Sequence, residues 1–246
     1  MAAFTADING IEVHAHYSER AVQEIFLPFL HTVTDMQRAK GSRLLVMLAA
    51  PPGAGKTTLL AFLKKLSLEE KGISPMDVIG MDGFHRRQEY LLSHRTVRNG
   101  EEISMVRIKG APETFDLARL TERVRQLLQG GPCPWPVYDR LLHNPVEDAL
   151  EVRENVVLLE GNYLLLDEAG WRDLSGYADY TVSVRAGENM LRSRLIERRM
   201  HTGVDRKASE AFVDFSDMPN VRLCLARSRK ADLELEVDAD GEYHRV

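Results

Sequence analysis

The sequence is poor in cysteine, has no surplus of positive charge and contains no long hydrophobic run. Its two cysteines, Cys133 and Cys224, are far apart among 246 residues, which excludes a disulfide scaffold and a zinc cluster and fits a reducing compartment. The 32 Lys and Arg against 37 Asp and Glu give a net charge of −5, which argues against a nucleic-acid partner, because such a partner needs clustered basic charge. Apolar runs such as 44–52 are far shorter than the roughly 18 residues of a membrane span, and residues 1–20 lack a signal-peptide pattern. These absences predict a cytoplasmic protein without nucleic-acid or membrane partners.

Short apolar segments alternate with amphipathic helical segments along the chain. The almost wholly apolar run over 42–50 is typical of a strand buried on both faces of a parallel sheet. We therefore predict an α/β fold with a mostly parallel sheet that helices cover on both faces. The predicted strands are 10–16, 42–50, 77–81, 156–159, 180–184 and 232–237, the last at an edge, and the predicted helices are 17–40, 56–71, 116–129 and 188–200. The chain is predicted to be one domain over 1–246, with an N-terminal strand–helix extension at 1–41 and a nucleotide-binding and catalytic core at 42–246.

The turn between the strand over 42–50 and the next helix carries a phosphate-binding pattern. Residues 50–57 read APPGAGKT and match the P-loop pattern G-x-x-x-x-G-K-[ST], except that Ala50 replaces the first glycine. Glycines allow backbone N–H groups to converge on phosphate oxygens, and the following helix directs its positive N-terminus at them. We predict that Lys56 reaches the β- and γ-phosphates of ATP and that the Thr57 hydroxyl binds Mg²⁺. The predicted nucleotide-binding set is Pro52, Gly53, Ala54, Gly55, Lys56, Thr57 and Thr58. The alternative is an ordinary glycine-rich turn.

Two carboxylates follow predicted strands at their C-terminal ends, where parallel sheets bind ligands. Glu160 comes after the strand over 156–159 and is predicted to bind Mg²⁺ directly or through water. Asp82 follows the strand over 77–81 and has two predicted roles, as a base for an acceptor hydroxyl and as a magnesium neighbour. The alternative is that each carboxylate caps a helix or lies in a surface turn.

The predicted helix over 188–200 is rich in arginine. Arg194 and Arg198 lie four residues apart and therefore share a helix face. Phosphoryl transfer requires cations over the migrating charge, so we predict that these two arginines are catalytic and belong to a closing lid at about 187–216. The alternative is a solvated charged face.

Several motifs in series resemble the group of uridine kinase, phosphoribulokinase and bacterial pantothenate kinase. Beside the phosphate turn they are MDGFH (81–85), KGAPETFD (109–116), YDR (138–140), HNP (143–145) and LLEGNYLLLDE (158–168). The likeness covers nearly the whole chain, and it is strongest to a bacterial branch of nucleoside kinase-like or fructose-transport-system kinase-like proteins. It implies a P-loop kinase that transfers the γ-phosphate of ATP to a hydroxyl of a small molecule, and it raises a homodimer as one assembly.

The same resemblance implies roles for individual residues. Asp82 matches the acid taken as base and metal neighbour, and Glu160 matches an acid near Mg²⁺. His85, Tyr138 and Arg140 match the region that holds the acceptor, and Arg194 and Arg198 match lid arginines. If the loops converge, Arg86, Arg87, Lys109 and Arg140 form a basic cleft, which suits an anionic or polyhydroxylated acceptor and equally ATP. The stretch 95–107 is longer than the group's pattern, so no substrate contact is carried over to it.

Three functions are compatible with these motifs. The first is a Mg²⁺-dependent ATP kinase whose acceptor is a nucleoside, a sugar or a pantothenate-like alcohol. The second is a nucleotide-dependent switch, although the N-K-x-D or T-K-x-D motif of a GTPase is absent and the D-x-x-G match at 167–170 is a common pattern. The third is a regulatory protein that binds ATP without kinase activity. The motifs and their positions favour the kinase.

Overall fold

The computed structural model describes residues 2–8, 11–98 and 100–246. The strands are β1 (Ala2–Ile8), β2 (Ile11–Tyr17), β3 (Leu44–Ala49), β4 (Met76–Gly80), β5 (Arg95–Arg98), β6 (Glu101–Ser104), β7 (Cys133–Asp139), β8 (Asn144–Val152), β9 (Val156–Gly161), β10 (Tyr180–Ala186), β11 (Leu233–Val237) and β12 (Tyr243–Arg245). The α-helices are α1 (Glu19–Ala21), α2 (Leu27–Lys40), α3 (Lys56–Glu69), α4 (Gln88–Ser93), α5 (Leu117–Leu128), α6 (Trp171–Ser175), α7 (Glu188–Met200), α8 (Arg206–Phe212) and α9 (Met218–Arg227). None of the helices in the described ranges is both long and apolar enough to cross a bilayer.

The central sheet has six strands in the order β12–β11–β10–β3–β9–β4. Strands β11, β10, β3, β9 and β4 run parallel to their neighbours, and β12 pairs antiparallel with β11. The prediction of a mostly parallel sheet is therefore confirmed. The predicted edge position of 232–237 is wrong, because Tyr243–Arg245 adds one more strand outside β11.

Helices cover both faces of the sheet, and β3 shows why its sequence is apolar throughout. Leu44, Val46 and Leu48 belong to one buried cluster together with α2, α3 and α7. Leu45 and Met47 belong to a second buried cluster with α5 and α6. Successive side chains of a strand point to opposite faces, so every position of β3 is buried, as the continuous apolar run predicts.

The N-terminal part of the chain contains one strand more than predicted. The predicted strand over 10–16 is β2, with residue 10 outside the described residues, and it pairs antiparallel with β1. The helix predicted over 17–40 begins at Glu19, because Tyr17 ends β2 and Ser18 caps the helix. From there the helical run is continuous to Lys40, and its turns are wider over Val22–Phe26, just before Pro28. Proline lacks an N–H and cannot close the regular pattern. Phe4 and Phe26 share a buried cluster with β3, and the boundary at residue 41 stays a prediction.

An antiparallel hairpin of β7 and β8 packs on the turn that follows β4. The Trp135 indole is buried and donates a hydrogen bond to the carbonyl of Gly80 at 2.9 Å. A Cβ on Gly83 would lie 2.1 Å from the carbonyl oxygen of Pro136. Gly83 therefore allows the hairpin to approach the backbone around Asp82.

We expect Gly83→Ala to destabilise the protein by about 3 kcal/mol, because the new methyl group collides with backbone rather than with a flexible side chain. Urea unfolding measures the change. Gly187→Ala is the matched control, since a Cβ there meets nothing within 4 Å and the expected cost is about 1 kcal/mol or less for a changed helix cap. Equal losses of unfolding free energy in the two variants would show that the close approach of Gly83 to Pro136 does not contribute to stability.

Candidate active site

The predicted phosphate turn connects β3 to α3 and has the backbone that the motif requires. Gly53 and Gly55 adopt left-handed φ values of 83° and 82°, which glycine accepts without strain. Ala50 is not among the described residues with positive φ, so the alanine in place of the first glycine is tolerated. The first N–H groups of α3 lack partners within the helix and are available to a phosphate.

The other residues of the predicted nucleotide set divide by burial. Pro52 and Ala54 are buried and hold the turn against the protein, whereas Gly55 is exposed and Thr58 is half-buried in the first turn of α3. A Cβ on Gly53 would lie 3.1 Å from Leu195 of α7. Helix α7 therefore packs directly on the phosphate turn.

The two predicted acids come together because their strands are neighbours. Gly80 of β4 pairs with Glu160 of β9, and Leu48 of β3 pairs with the same Glu160. Asp82 follows two residues after Gly80. A Cβ on Gly161 would lie 2.1 Å from the sulfur of Met81, so the glycine after Glu160 leaves room for the side chain that precedes Asp82.

Glu160 contacts both side chains of the P-loop that carry chemistry. Thr57 Oγ1 donates a hydrogen bond to Glu160 Oε1 at 2.9 Å, and Lys56 Nζ lies 3.9 Å from Glu160 Oε2. Burial and the nearby Asp82 charge raise the pKa of Glu160, while Lys56, Thr57 and Arg140 act in the opposite direction. The charged form of Glu160 would therefore be stabilised further by a second cation in addition to Lys56.

The residues predicted to hold the acceptor form a group around Asp82. His85 is buried, its Nδ1–H donates to the Asp82 carbonyl oxygen at 2.9 Å, and its ring lies 4.0 Å from Phe115 and 5.0 Å from Tyr138 between centroids. Burial lowers the pKa of His85, which favours a neutral ring whose Nε2 can accept a hydrogen bond. Burial and the Asp82 charge raise the pKa of Tyr138 to about 12. Asp82 itself is exposed.

The predicted arginines do not all face the same group. Arg198 interacts electrostatically with Asp82, Arg140 and Asp217, and Arg140 interacts with Glu160 and Tyr138. Arg194 instead interacts with the hydroxyl of Tyr243 in the outermost strand. The structure thus brings Arg198 and Arg140 within electrostatic range of the acids, and Arg194 within range of Tyr243 in the outermost strand.

Helix α7 matches the predicted boundaries 188–200, and its apolar face fixes it in place. Leu191, Leu195 and Ile196 are buried in the main cluster. Arg192 on the same helix forms a two-pronged ion pair with Asp214 at 2.7 and 2.8 Å. A closing motion of 187–216 stays a prediction, and α7 is the anchored part of that segment.

The predicted basic cleft is only partly assembled. Arg86 pairs with Asp116 at 3.9 Å and Arg87 with Glu147 at 3.8 Å, so both cations already have counter-charges. Lys109 reaches the group around His85, since its Nζ lies 5.0 Å from the centre of the Tyr138 ring.

Two hydrogen bonds on the acceptor side involve residues that the sequence motifs did not identify. Gln88 Oε1 accepts a hydrogen bond from Lys109, and the Tyr163 hydroxyl donates to the Gly110 carbonyl at 2.5 Å. Tyr163 lies within the EGNYLLL motif, so the sequence could have identified it as a candidate site residue. Gln88 has no such signal, because only the tertiary contact reveals it.

Comparison with known proteins shows the family of the chain. Residues 45–239 match the phosphoribulokinase / uridine kinase family. The chain belongs to this family. It is therefore a phosphotransferase with a small-molecule alcohol as acceptor and a P-loop for ATP, and the resemblance stated from the motifs is confirmed.

Individual members of the family show how far the likeness extends. The chain is 39% identical over 238 residues to the uncharacterized protein YggC of Escherichia coli K12, and the aligned region covers 96% of each chain. It is 32% identical over 206 residues to a protein of Schizosaccharomyces pombe proposed to be a uridine kinase, covering 79% of this chain and 83% of that one. A crystal structure from Silicibacter sp. TM1040, described as a proposed fructose transport system kinase, has 31% identity and a TM-score of 0.75 and covers 85% of this chain and 98% of that one. The α/β fold predicted for a P-loop kinase is thus confirmed.

Proposed function

We propose that this kinase uses ATP and Mg²⁺ and phosphorylates a hydroxyl of a nucleoside, a sugar or a pantothenate-like alcohol. The observation that carries the proposal is the meeting of Lys56, Thr57 and Glu160 with Asp82 at one edge of the sheet. A nucleotide side and an acceptor side adjoin there.

The nucleotide side consists of the phosphate turn and Lys56. Backbone N–H groups of 55–58 bind the β- and γ-phosphates, and the Lys56 ammonium neutralises charge on their oxygens. Lys56 is held in this position because its side chain is only 15% exposed and faces Glu160.

The oxygen donors beside Lys56 fit a magnesium ion. The Thr57 hydroxyl and the Glu160 carboxylate are already in contact, and Mg²⁺ prefers such oxygen ligands and completes its shell with waters and phosphate oxygens. Among the described residues no group of three or more His, Cys, Asp or Glu side chains could hold a metal ion. When bound, Mg²⁺ would neutralise phosphate charge, and Asp82 would be its neighbour.

The acceptor side supplies a base and an orienting pocket. The acceptor hydroxyl gives its proton to the Asp82 carboxylate as its oxygen forms a bond to the γ-phosphorus and the bond to ADP breaks. His85, Tyr138 and Arg140 orient the acceptor, and Arg198 would neutralise charge on the transferred phosphoryl group.

We expect Arg198→Ala to lower kcat by about 10-fold to 100-fold, because a cation over the developing charge is lost. Arg194→Ala and Arg192→Ala are matched controls on the same helix, and we expect both to keep kcat within about threefold. Steady-state kinetics, with an acceptor found by screening alcohols for ATP consumption, measures kcat of the three variants. A larger loss in Arg194→Ala than in Arg198→Ala would reverse the assignment.

The experiment that tests the proposed function is an ATP-consumption screen over nucleosides, sugars and vitamin alcohols, with and without Mg²⁺. Mass spectrometry of the product must show the addition of one phosphoryl group. We expect turnover of at least one alcohol and its loss when Mg²⁺ is chelated. Binding of ATP without a phosphorylated product across the panel would contradict the proposal and favour a regulatory ATP-binding protein.

A further inference from the structure

Three cations on the acceptor side have no carboxylate within 4.0 Å among the described residues: Lys109, Arg140 and Arg198. Other cations close by are paired, as Arg98 is with Glu113 at 2.8 Å. Arg140 and Arg198 are exposed to solvent and interact with Glu160 and Asp82 over a longer range. Burial lowers the pKa of Arg198 as it lowers that of Lys109, but Lys109 differs from both arginines because two hydrogen bonds hold its half-buried ammonium in place.

The contacts of the Lys109 ammonium are all to neutral groups. Its Nζ donates to Gln88 Oε1 at 2.7 Å and to the His143 carbonyl oxygen at 2.8 Å, which uses two of its three N–H donors. The face of the Tyr138 ring lies 5.0 Å away. Burial lowers the pKa of Lys109, because a charged group withdrawn from water without an ionic partner is costly. A bound anion would supply the missing partner.

A short series of contacts connects Lys109 to the proposed base. The Tyr138 ring lies 5.0 Å from both the Lys109 ammonium and the His85 ring, and His85 donates to the carbonyl of Asp82. Lys56, by contrast, faces Glu160 at the phosphate turn. The Lys109 charge therefore serves the acceptor side of the site rather than ATP.

We propose that Lys109 binds an anionic oxygen group, a carboxylate or a phosphate, of the acceptor, so that the preferred acceptor is an alcohol that already carries negative charge. The proposal rests on the proposed kinase function and narrows its acceptor class. The competing role for Lys109 is structural, since its bond to His143 holds the tip of the β7–β8 hairpin. The test must separate charge recognition from this structural role.

Pairs of acceptor compounds, each with one anionic alcohol and one neutral analogue, separate charge recognition from the structural role of Lys109. Pantothenate is compared with pantothenol, and ribose 5-phosphate with ribose, first by calorimetric binding in the presence of a non-hydrolysable ATP analogue and then by kcat/KM. For the wild type we expect at least a 10-fold preference for the anionic member of a pair.

In Lys109→Gln the side chain still donates a hydrogen bond but has no charge. We expect binding of the anionic member to fall by about 10-fold to 100-fold, as for a hydrogen bond to a charged group, and binding of the neutral member to stay within about twofold. Lys64→Gln is the control, because Lys64 pairs with Asp77 at 3.2 Å at the opposite end of β4, and we expect it to keep the wild-type preference.

Three results would overturn the proposal: no binding of either anionic compound, equal or better binding of the neutral members, or an equal loss for both members in Lys109→Gln. The last result would assign Lys109 to the structural role. Selective binding of the anionic compounds without transfer of phosphate would support the anion site but contradict the proposed kinase reaction. The experiment therefore distinguishes a failure of the anion-site proposal from a failure of the proposed function.

Discussion

Lys56→Met is expected to lower kcat by about 10²-fold to 10³-fold, the range for removal of one preorganised charge at a reacting centre. The methionine retains the apolar stem in a position that is only 15% exposed, so packing changes little. What disappears is the ammonium that neutralises the β- and γ-phosphate oxygens as charge moves between them. Steady-state kinetics with the acceptor from the screen measures the loss.

The matched control for Lys56→Met is Lys64→Met, in the same helix. Lys64 lies on the surface and pairs with Asp77, so we expect its replacement to leave kcat unchanged. Urea unfolding of both variants establishes that the fold is retained. If Lys56→Met kept more than about a tenth of wild-type kcat, the P-loop lysine would not be the group that stabilises the transferred phosphate.

Asp82→Asn is expected to lower kcat by about 10²-fold to 10⁴-fold, the usual contribution of a general base. Affinity for ATP should stay within about threefold, because the phosphate turn and Lys56 are unchanged. The asparagine has nearly the same shape, and the backbone carbonyl of residue 82 still accepts the His85 hydrogen bond. The loss would therefore report the missing carboxylate rather than a displaced loop.

A second readout confirms that the charge itself was removed. Because the Asp82 charge contributes to the raised pKa of Tyr138, about 12 in the wild type, we expect ultraviolet titration to find a lower Tyr138 pKa in Asp82→Asn. Asp77→Asn is the control at the start of β4; it accepts hydrogen bonds from the backbone of Arg153 and Glu154, so its loss should affect stability and not kcat. Full activity in Asp82→Asn would remove Asp82 as the base.

Much of the central architecture follows from local sequence patterns. The apolar runs around β3, β9 and β10 predict strands close to those observed. The helix predicted from residue 116 is confirmed, with Asp116 Oδ1 accepting from the Arg119 N–H at 3.1 Å. These elements are predictable because periodicity and capping act between residues close together in the chain.

Elements that depend on distant contacts escaped prediction. Strand β7 contains Pro134 and Pro136, and proline normally argues against a strand because it cannot donate a hydrogen bond. Among the described residues β7 pairs with β8 alone and has an irregular register at Trp135–Val137. It gains its packing from Trp135 and the close approach at Gly83. None of these compensations is visible in the local pattern.

The amino-acid sequence by itself determined the phosphate turn, the two strand-end acids and the alternation of strands and helices, because each depends on neighbouring residues and on the common edge of parallel strands. Only the tertiary structure decided which cations meet those acids. Arg194 and Arg198 share a helix face in the sequence pattern, yet Tyr243 and Asp82 are their different neighbours. Likewise, the absence of excess positive charge in the composition hides a half-buried Lys109 without an acidic partner in the described part of the chain. Composition sums charge over the whole chain, whereas binding depends on the few charges that folding brings within reach of one another.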